Sequence, residues 1–350
     1  MNKIQNIQAL RGIAVLAVVF FHLMTIEQKY GGTQTILPDF FSFGMFGVDL
    51  FFVISGFVMI TVTRGKFQNL KQAARFLYHR ASRIYPTYWF YSLLVLCVFL
   101  FKPTLVNSSQ GNEVNILTSF LLFPSEKLPL VMVGWTLIHE MYFYLVYFIF
   151  LLLVAERHLI KALVSWVLII VMVNIYFELS SPLEKLIFHP LTIEFVMGCL
   201  LAIYFYRTIN KNKSRNSLLF LAASAVFIAS IYGHNLYQSY TGHIEPQNWW
   251  RVLIFGIPAI TIVFCSLSAE RNGFIIHSSV VNIGDASYSI YLSHILTLSA
   301  AGRVWSEVSL DSVWDNLVIL PALMILVIAI GMLSFRYIEK PLLFYCRKIA

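Results

Sequence analysis

Apolar runs alternate with short polar connections along almost the whole chain. They fall near residues 7–25, 43–63, 84–101, 134–154, 161–178, 187–206, 217–233, 251–268, 284–302 and 317–336. Most approach the roughly 20 residues that a helix needs to cross the hydrocarbon core, so the pattern predicts an all-α polytopic membrane protein of about ten transmembrane helices. The segment ILTSFLLF at 116–123 is too short to span and is predicted to be re-entrant or interfacial. Within 64–83, Phe67, Leu70, Ala74 and Leu77 recur at helical spacing, with Lys71, Arg75, His79, Arg80 and Arg83 spread around the other side. That pattern predicts a basic helix held at anionic headgroups, or an anion site built from the fork-shaped donors of Arg80 and Arg83. No internal repeat or soluble domain interrupts the series, so residues 1–350 are expected to form a single transmembrane domain.

Composition agrees. Hydrophobic residues make up 59% of the chain, charged residues 12%, and the mean hydropathy is +0.75. A soluble domain carries roughly twice that share of charge. Cys97, Cys199 and Cys265 lie in apolar runs and Cys346 near the C-terminus, a spacing that builds neither a disulfide framework nor a metal site. The net charge of +8 is explained by membrane orientation rather than by nucleic acid. With the N-terminus inside and the spans alternating, most of the 25 lysines and arginines fall on the cytoplasmic side. Only Lys29, Lys102, Lys127, Lys185, Arg251 and Arg303 fall on the other, which predicts that both termini are cytoplasmic. The first span carries Arg11 and His22 and lacks a small-x-small cleavage site, unlike a cleaved signal peptide.

Ionisable groups in hydrocarbon are costly and mark function by default. Arg11 and His22 are eleven residues apart, which returns them to one face of a helix with a rise of about 16 Å. Asp49, Glu140 and Glu194 fall by residue count into the same outer depth zone as His22. A carboxylate bonded to imidazole fixes its tautomer and raises its basicity, as a general base requires. The same side chains also serve as packing links between helices, and Arg11 as a snorkelling cation. His294, in SYSIYLSHI, is a second-tier candidate for the same cavity, and His139 sits beside Glu140.

These residues lie in motifs whose order resembles the acyltransferase-three family of bacterial membrane O-acyltransferases. The pieces are IQALRGIAVLAVVFFHL at 7–23, GMFGVDLFFVISGFVM at 44–59, RASRIYPTYW at 80–89, WTLIHEMYFYL at 135–145, SYSIYLSH at 287–294 and FRYIEKP at 335–341. The resemblance implies that His22 is the catalytic base and that Arg80 and Arg83 hold the phosphates of an acyl-CoA donor. It matches Glu140 to the family's acid after WTL, where this chain reads WTLIHE in place of the commoner Val-Glu or Ser-Glu ending. The further hydrolase-like domain that some members carry is not expected here.

Together these readings predict acetyl transfer from cytoplasmic acetyl-CoA to a glycan or lipid-linked sugar in a bacterial inner membrane. The donor's phosphates would sit on Arg80, Arg83 and Arg11, and His22 would be oriented by Glu140 or Asp49. Membrane lipids are the other expected partner; neither a metal nor a nucleic acid is expected. Direct attack and a His-borne acyl intermediate both remain open. A transporter or flippase would also bury Arg, His and carboxylates. A structural subunit of a polysaccharide synthase would account for the helices but not for the buried charges.

Overall fold

A computed structural model describes residues 4–108, 111–208, 216–309 and 311–349. Among them every regular element is helical. We number the long helices α1 (Gln5–Tyr30), α2 (Phe46–Thr63), α3 (Leu70–Phe101), α4 (Gly134–Leu153), α5 (Leu159–Tyr176), α6 (Leu191–Thr208), α7 (Asn216–Thr241), α8 (Asn248–Arg271), α9 (Ser287–Val308) and α10 (Val313–Ser334). Each expected span has its helix, and the protein is a multi-pass membrane protein. Among the described residues nine helical segments are long and apolar enough to cross a membrane. The exception is α9, which carries Arg303, Glu307 and several serines. Its first half is buried in protein, where Ser293, His294 and Thr297 each bond a carbonyl of α9 itself. A polar helix is tolerated in a membrane when its polar groups are satisfied internally.

The described chain groups into two compact units. The first comprises Met1–Ile60 and Ile193–Met332, the second Thr61–Thr192 and Leu333–Ala350. In the first, α1 packs against the short helix Ser278–Asp285, α8, α9 and the 3-10 turn Asp39–Met45, while α7 packs on α8. Close approach rests on residues without side chains. A Cβ on Gly56 of α2 would meet the carbonyl of Phe195 on α6, and one on Gly198 of α6 would meet that of Val53 on α2. The two helices are thus in backbone contact through a reciprocal pair of glycines, a common way for membrane helices to pack.

Both ends of α1 are fastened by carboxylates. Glu270 of α8 accepts the free backbone N–H groups of Gln5 and Asn6 at 2.9 and 2.7 Å, placing negative charge at the positive end of the helix. The buried Asn6 side chain donates to the carbonyls of Ser266 and Phe274 and accepts from the N–H of Ile276. At the other end, fully buried Glu27 accepts from the N–H groups of Ile36 and Leu37 at 2.7 and 3.0 Å and from Asn316 of α10 at 3.1 Å.

In the second unit, the basic stretch and the third span form one 32-residue helix, α3, with a length of about 48 Å. This corrects the expectation of a separate interfacial helix. Asn69 caps it by accepting from Gln72 N–H at 3.0 Å, and Pro86 within it leaves the helix continuous. The 116–123 segment forms only the short helix Ile116–Leu121. The helix Lys340–Ile349, which follows a π-helical turn over Phe335–Glu339, packs on α3.

Gly198→Val forces a side chain into the carbonyl of Val53, an overpacking that costs about 1–3 kcal/mol. The expected result is a lower midpoint in detergent thermal unfolding and a reduced folded yield. An unchanged midpoint would mean that α2 and α6 have room to separate.

Candidate functional site

His22 sits five turns into α1, half-buried, with its imidazole 5.1 Å from that of His294 on α9, centroid to centroid. Both residues belong to the first unit. His294 is fully buried, and its Nδ1 lies 2.6 Å from the carbonyl of Tyr291. That contact makes Nδ1 the donor and leaves Nε2 as the acceptor, and Nε2 has no hydrogen-bond partner among the described residues. The second-tier histidine is therefore the neighbour of the first-tier one. Arg11, near the start of the same helix, is half-buried and donates to Gln8 at 3.4 Å.

Asp49 is fully buried, and its carboxylate is committed to Arg251 of α8. Nε donates to one oxygen at 2.8 Å and Nη2 to the other at 2.9 Å, a two-pronged charge-assisted pair. Arg251 is 5% exposed, lies over the Phe255 ring and reaches Glu245 at 3.4 Å. Burial pushes the Glu245 carboxyl above its ordinary range, with the Arg251 guanidinium working in the opposite sense. Glu194 of α6 is also fully buried, and its side chain lies against Gly256. Arg251 leads directly into a π-helical turn over Val252–Gly256, a local widening that often accompanies functional positions. Asp49 is expected to orient His22; the structure pairs its carboxylate with Arg251. That partner was legible in principle, because a carboxylate well inside a span demands a cation. Arg251, directly after Trp249 and Trp250, counts in the sequence only as one of the few cations of the outer side.

Glu140 lies in the second unit, on α4, and accepts the hydroxyl of Tyr144 one turn along. Tyr144 is fully buried, and the Arg80 guanidinium lies 6.0 Å from its ring centroid and 5.8 Å from that of Phe76. The structure thus gathers Arg80, Tyr144 and Glu140 into one cluster. The four-residue spacing of Glu140 and Tyr144, one helical turn, is the sequence signal for that pair. Arg83 follows on α3, half-buried. His139, beside Glu140, has Nδ1 3.0 Å from the Trp135 carbonyl, with its ring 4.8 Å from that of His189. Among the described residues no group of His, Cys, Asp and Glu has metal-binding geometry.

The first unit thus holds a close imidazole pair and a buried carboxylate–guanidinium pair, and the second holds an arginine beside two aromatic rings. A family model described as an acyltransferase domain matches residues 4–336. The chain belongs to this acyltransferase-3 family. It is 27% identical over 325 residues to the exopolysaccharide production protein ExoZ of Rhizobium meliloti (strain 1021), covering 87% of this chain and 90% of that one. It is 25% identical to the peptidoglycan O-acetyltransferase OatA of Listeria monocytogenes, covering 97% of this chain but 56% of that longer protein. With the acyltransferase MdmB of Streptomyces mycarofaciens the identity is 23%, over 97% and 91% of the two chains. No solved structure matches.

Asp49→Asn leaves Arg251 buried with one charged partner fewer, a change that costs about 3–5 kcal/mol when a buried pair is broken. Arg251→Met is expected to cost a similar amount. The double variant should be closer to wild type in thermal unfolding than the sum of the single changes. Strict additivity would show that the pair does not act as a unit.

Proposed function

We propose that the protein is an O-acyltransferase of a bacterial inner membrane that moves an acetyl group from acetyl-CoA to a hydroxyl of an exopolysaccharide or related glycan. The observation that carries this reading is the His22 imidazole, set beside His294 inside a helical bundle of the acyltransferase family. The names of the relatives, an exopolysaccharide production protein and a peptidoglycan O-acetyltransferase, support a glycan acceptor. The bias of Lys and Arg supports cytoplasmic termini and a donor arriving from that side. The family match over 4–336 supports treating both units as one acyltransferase domain.

In this proposal Arg80, Arg83 and Arg11 take the donor's phosphates. His22 accepts the proton of the sugar hydroxyl as its oxygen attacks the thioester carbonyl. The new C–O bond forms, the C–S bond breaks, and CoA leaves as a thiolate that recovers the proton from His22. His294 is a positioning residue for His22. Asp49 and Glu140 are positioning carboxylates, the first acting through Arg251 and the second through Tyr144 and Arg80.

The test is transfer of label from radiolabelled acetyl-CoA to the host's surface polysaccharide. His22→Ala, at wild-type membrane levels, is expected to lose activity by about a hundredfold or more, and Arg83→Ala to raise the KM for the donor. Wild-type transfer by His22→Ala would remove the base assignment. A wild-type protein that neither transfers label nor binds acetyl-CoA would make transport of a polar substrate the better reading.

A further inference from the structure

The helix Lys340–Ile349 divides by exposure into two sides. At about 100° per residue, Lys340, Pro341, Phe344, Tyr345, Arg347 and Lys348 fill an arc of about 160°, and all six are exposed. Leu342, Leu343 and Cys346 lie on the opposite arc and are half-buried. The helix packs on α3, and the Tyr78 hydroxyl of α3 donates to the Cys346 carbonyl at 2.8 Å. All of this lies within the second unit, and the π-helical turn over Phe335–Glu339 separates the helix from α10.

The outer arc suits neither water nor the hydrocarbon core. Phe344 is 57% exposed, Tyr345 64%, and Tyr337 in the preceding turn 65%, a large apolar area to leave in water. Among these rings stand Lys340, Arg347 and Lys348, with Arg336 exposed just before the helix, and charges are costly in hydrocarbon. Rings and cations also lie against one another. Lys348 Nζ is 4.4 Å from the Phe344 ring centroid, Lys340 Nζ 4.7 Å from that of Phe335, and the Arg336 guanidinium 5.6 Å from that of Tyr337. Glu339 is the single acid from residue 335 onward, and it is buried. The exposed face therefore carries four positive charges and no negative one among the described residues. Rings that sink to the acyl boundary beside cations that stop at the phosphates fit the headgroup layer. The sign of the charge selects an anionic one.

We infer that the outer face of the Lys340–Ile349 helix docks on an anionic phospholipid leaflet. Tyr337, Phe344 and Tyr345 enter the acyl boundary, and Arg336, Lys340, Arg347 and Lys348 meet the headgroup phosphates. The occupant is a lipid, not the donor of the proposed reaction, and the inference stands apart from that reaction. Docking sets the depth at which the start of α3, tied to this helix through Tyr78, meets the membrane surface.

The test places a photocrosslinker in the full-length protein as Tyr345→p-benzoylphenylalanine, in nanodiscs of phosphatidylcholine mixed with phosphatidylglycerol. Captured lipid is identified by mass spectrometry. Each cation at such a surface is worth about fivefold in anionic lipid. The captured ratio of phosphatidylglycerol to phosphatidylcholine should therefore exceed the ratio in the disc by about fivefold or more. In the added double variant Lys340→Gln/Lys348→Gln, at exposed positions away from the packed side, the excess should fall to about twofold or less. Lys161→Gln, which removes an exposed cation elsewhere in the same unit, should keep it. Raised salt should shrink it, since exposed charges are screened. Capture in proportion to the disc composition, or an excess that survives in the double variant or in high salt, overturns the inference. Capture of a second copy of the chain in place of lipid also overturns it and makes the face a contact between protomers. Loss of the excess on adding acetyl-CoA would overturn it too, by assigning the cations to the donor.

Discussion

The absence of water from a bilayer core governs this protein. A charged or hydrogen-bonding group placed there has only the protein to satisfy it, and an unmet one costs several kcal/mol. The bidentate pair of Asp49 and Arg251 is the clearest response. It joins α2 to α8 in the first unit and fixes the start of the π-helical turn that follows Arg251. The internal bonding of α9 answers the same constraint on a smaller scale, and so do the carboxylates at the two ends of α1. Each keeps a polar group inside the bundle at the expense of freedom in the helix that bears it.

That loss of freedom suits the proposed chemistry. An imidazole held on a helix surrounded by rigid neighbours keeps its orientation without being reorganised during a reaction, which favours proton transfer at a defined point. The second unit uses aromatic faces to similar effect. The Arg80 guanidinium lies 5.8 Å from the Phe76 ring centroid and 6.0 Å from that of Tyr144, close enough for the ring faces to attract its charge.

Much of this was legible in the residues. Ten apolar runs foretold ten long helices, and the eleven-residue interval between Arg11 and His22 marked the helix that carries the imidazole. What the chain did not disclose were pairings between distant segments. Asp49 and Arg251 are separated by 202 residues, and periodicity along one helix says nothing about which cation another helix presents. His294 could be picked out as unusual but not placed beside His22 for the same reason. The continuity of α3 was hidden differently. Its hydrophobic character changes abruptly between residues 83 and 84, and a compositional boundary reads as a structural one although helical hydrogen bonds are indifferent to it.

The two carboxylates that clamp α1 have a mechanical consequence. Glu270 grips the first amides of the helix, and Glu27 ties its last turns to a loop and to α10. Sliding α1 along its axis by even one residue would break bonds at both ends together, so the helix behaves as a riveted strut. The imidazole of His22 is therefore a stationary reference point within its unit, and in the proposed reaction any adjustment has to come from the molecules brought to it or from helices less firmly moored.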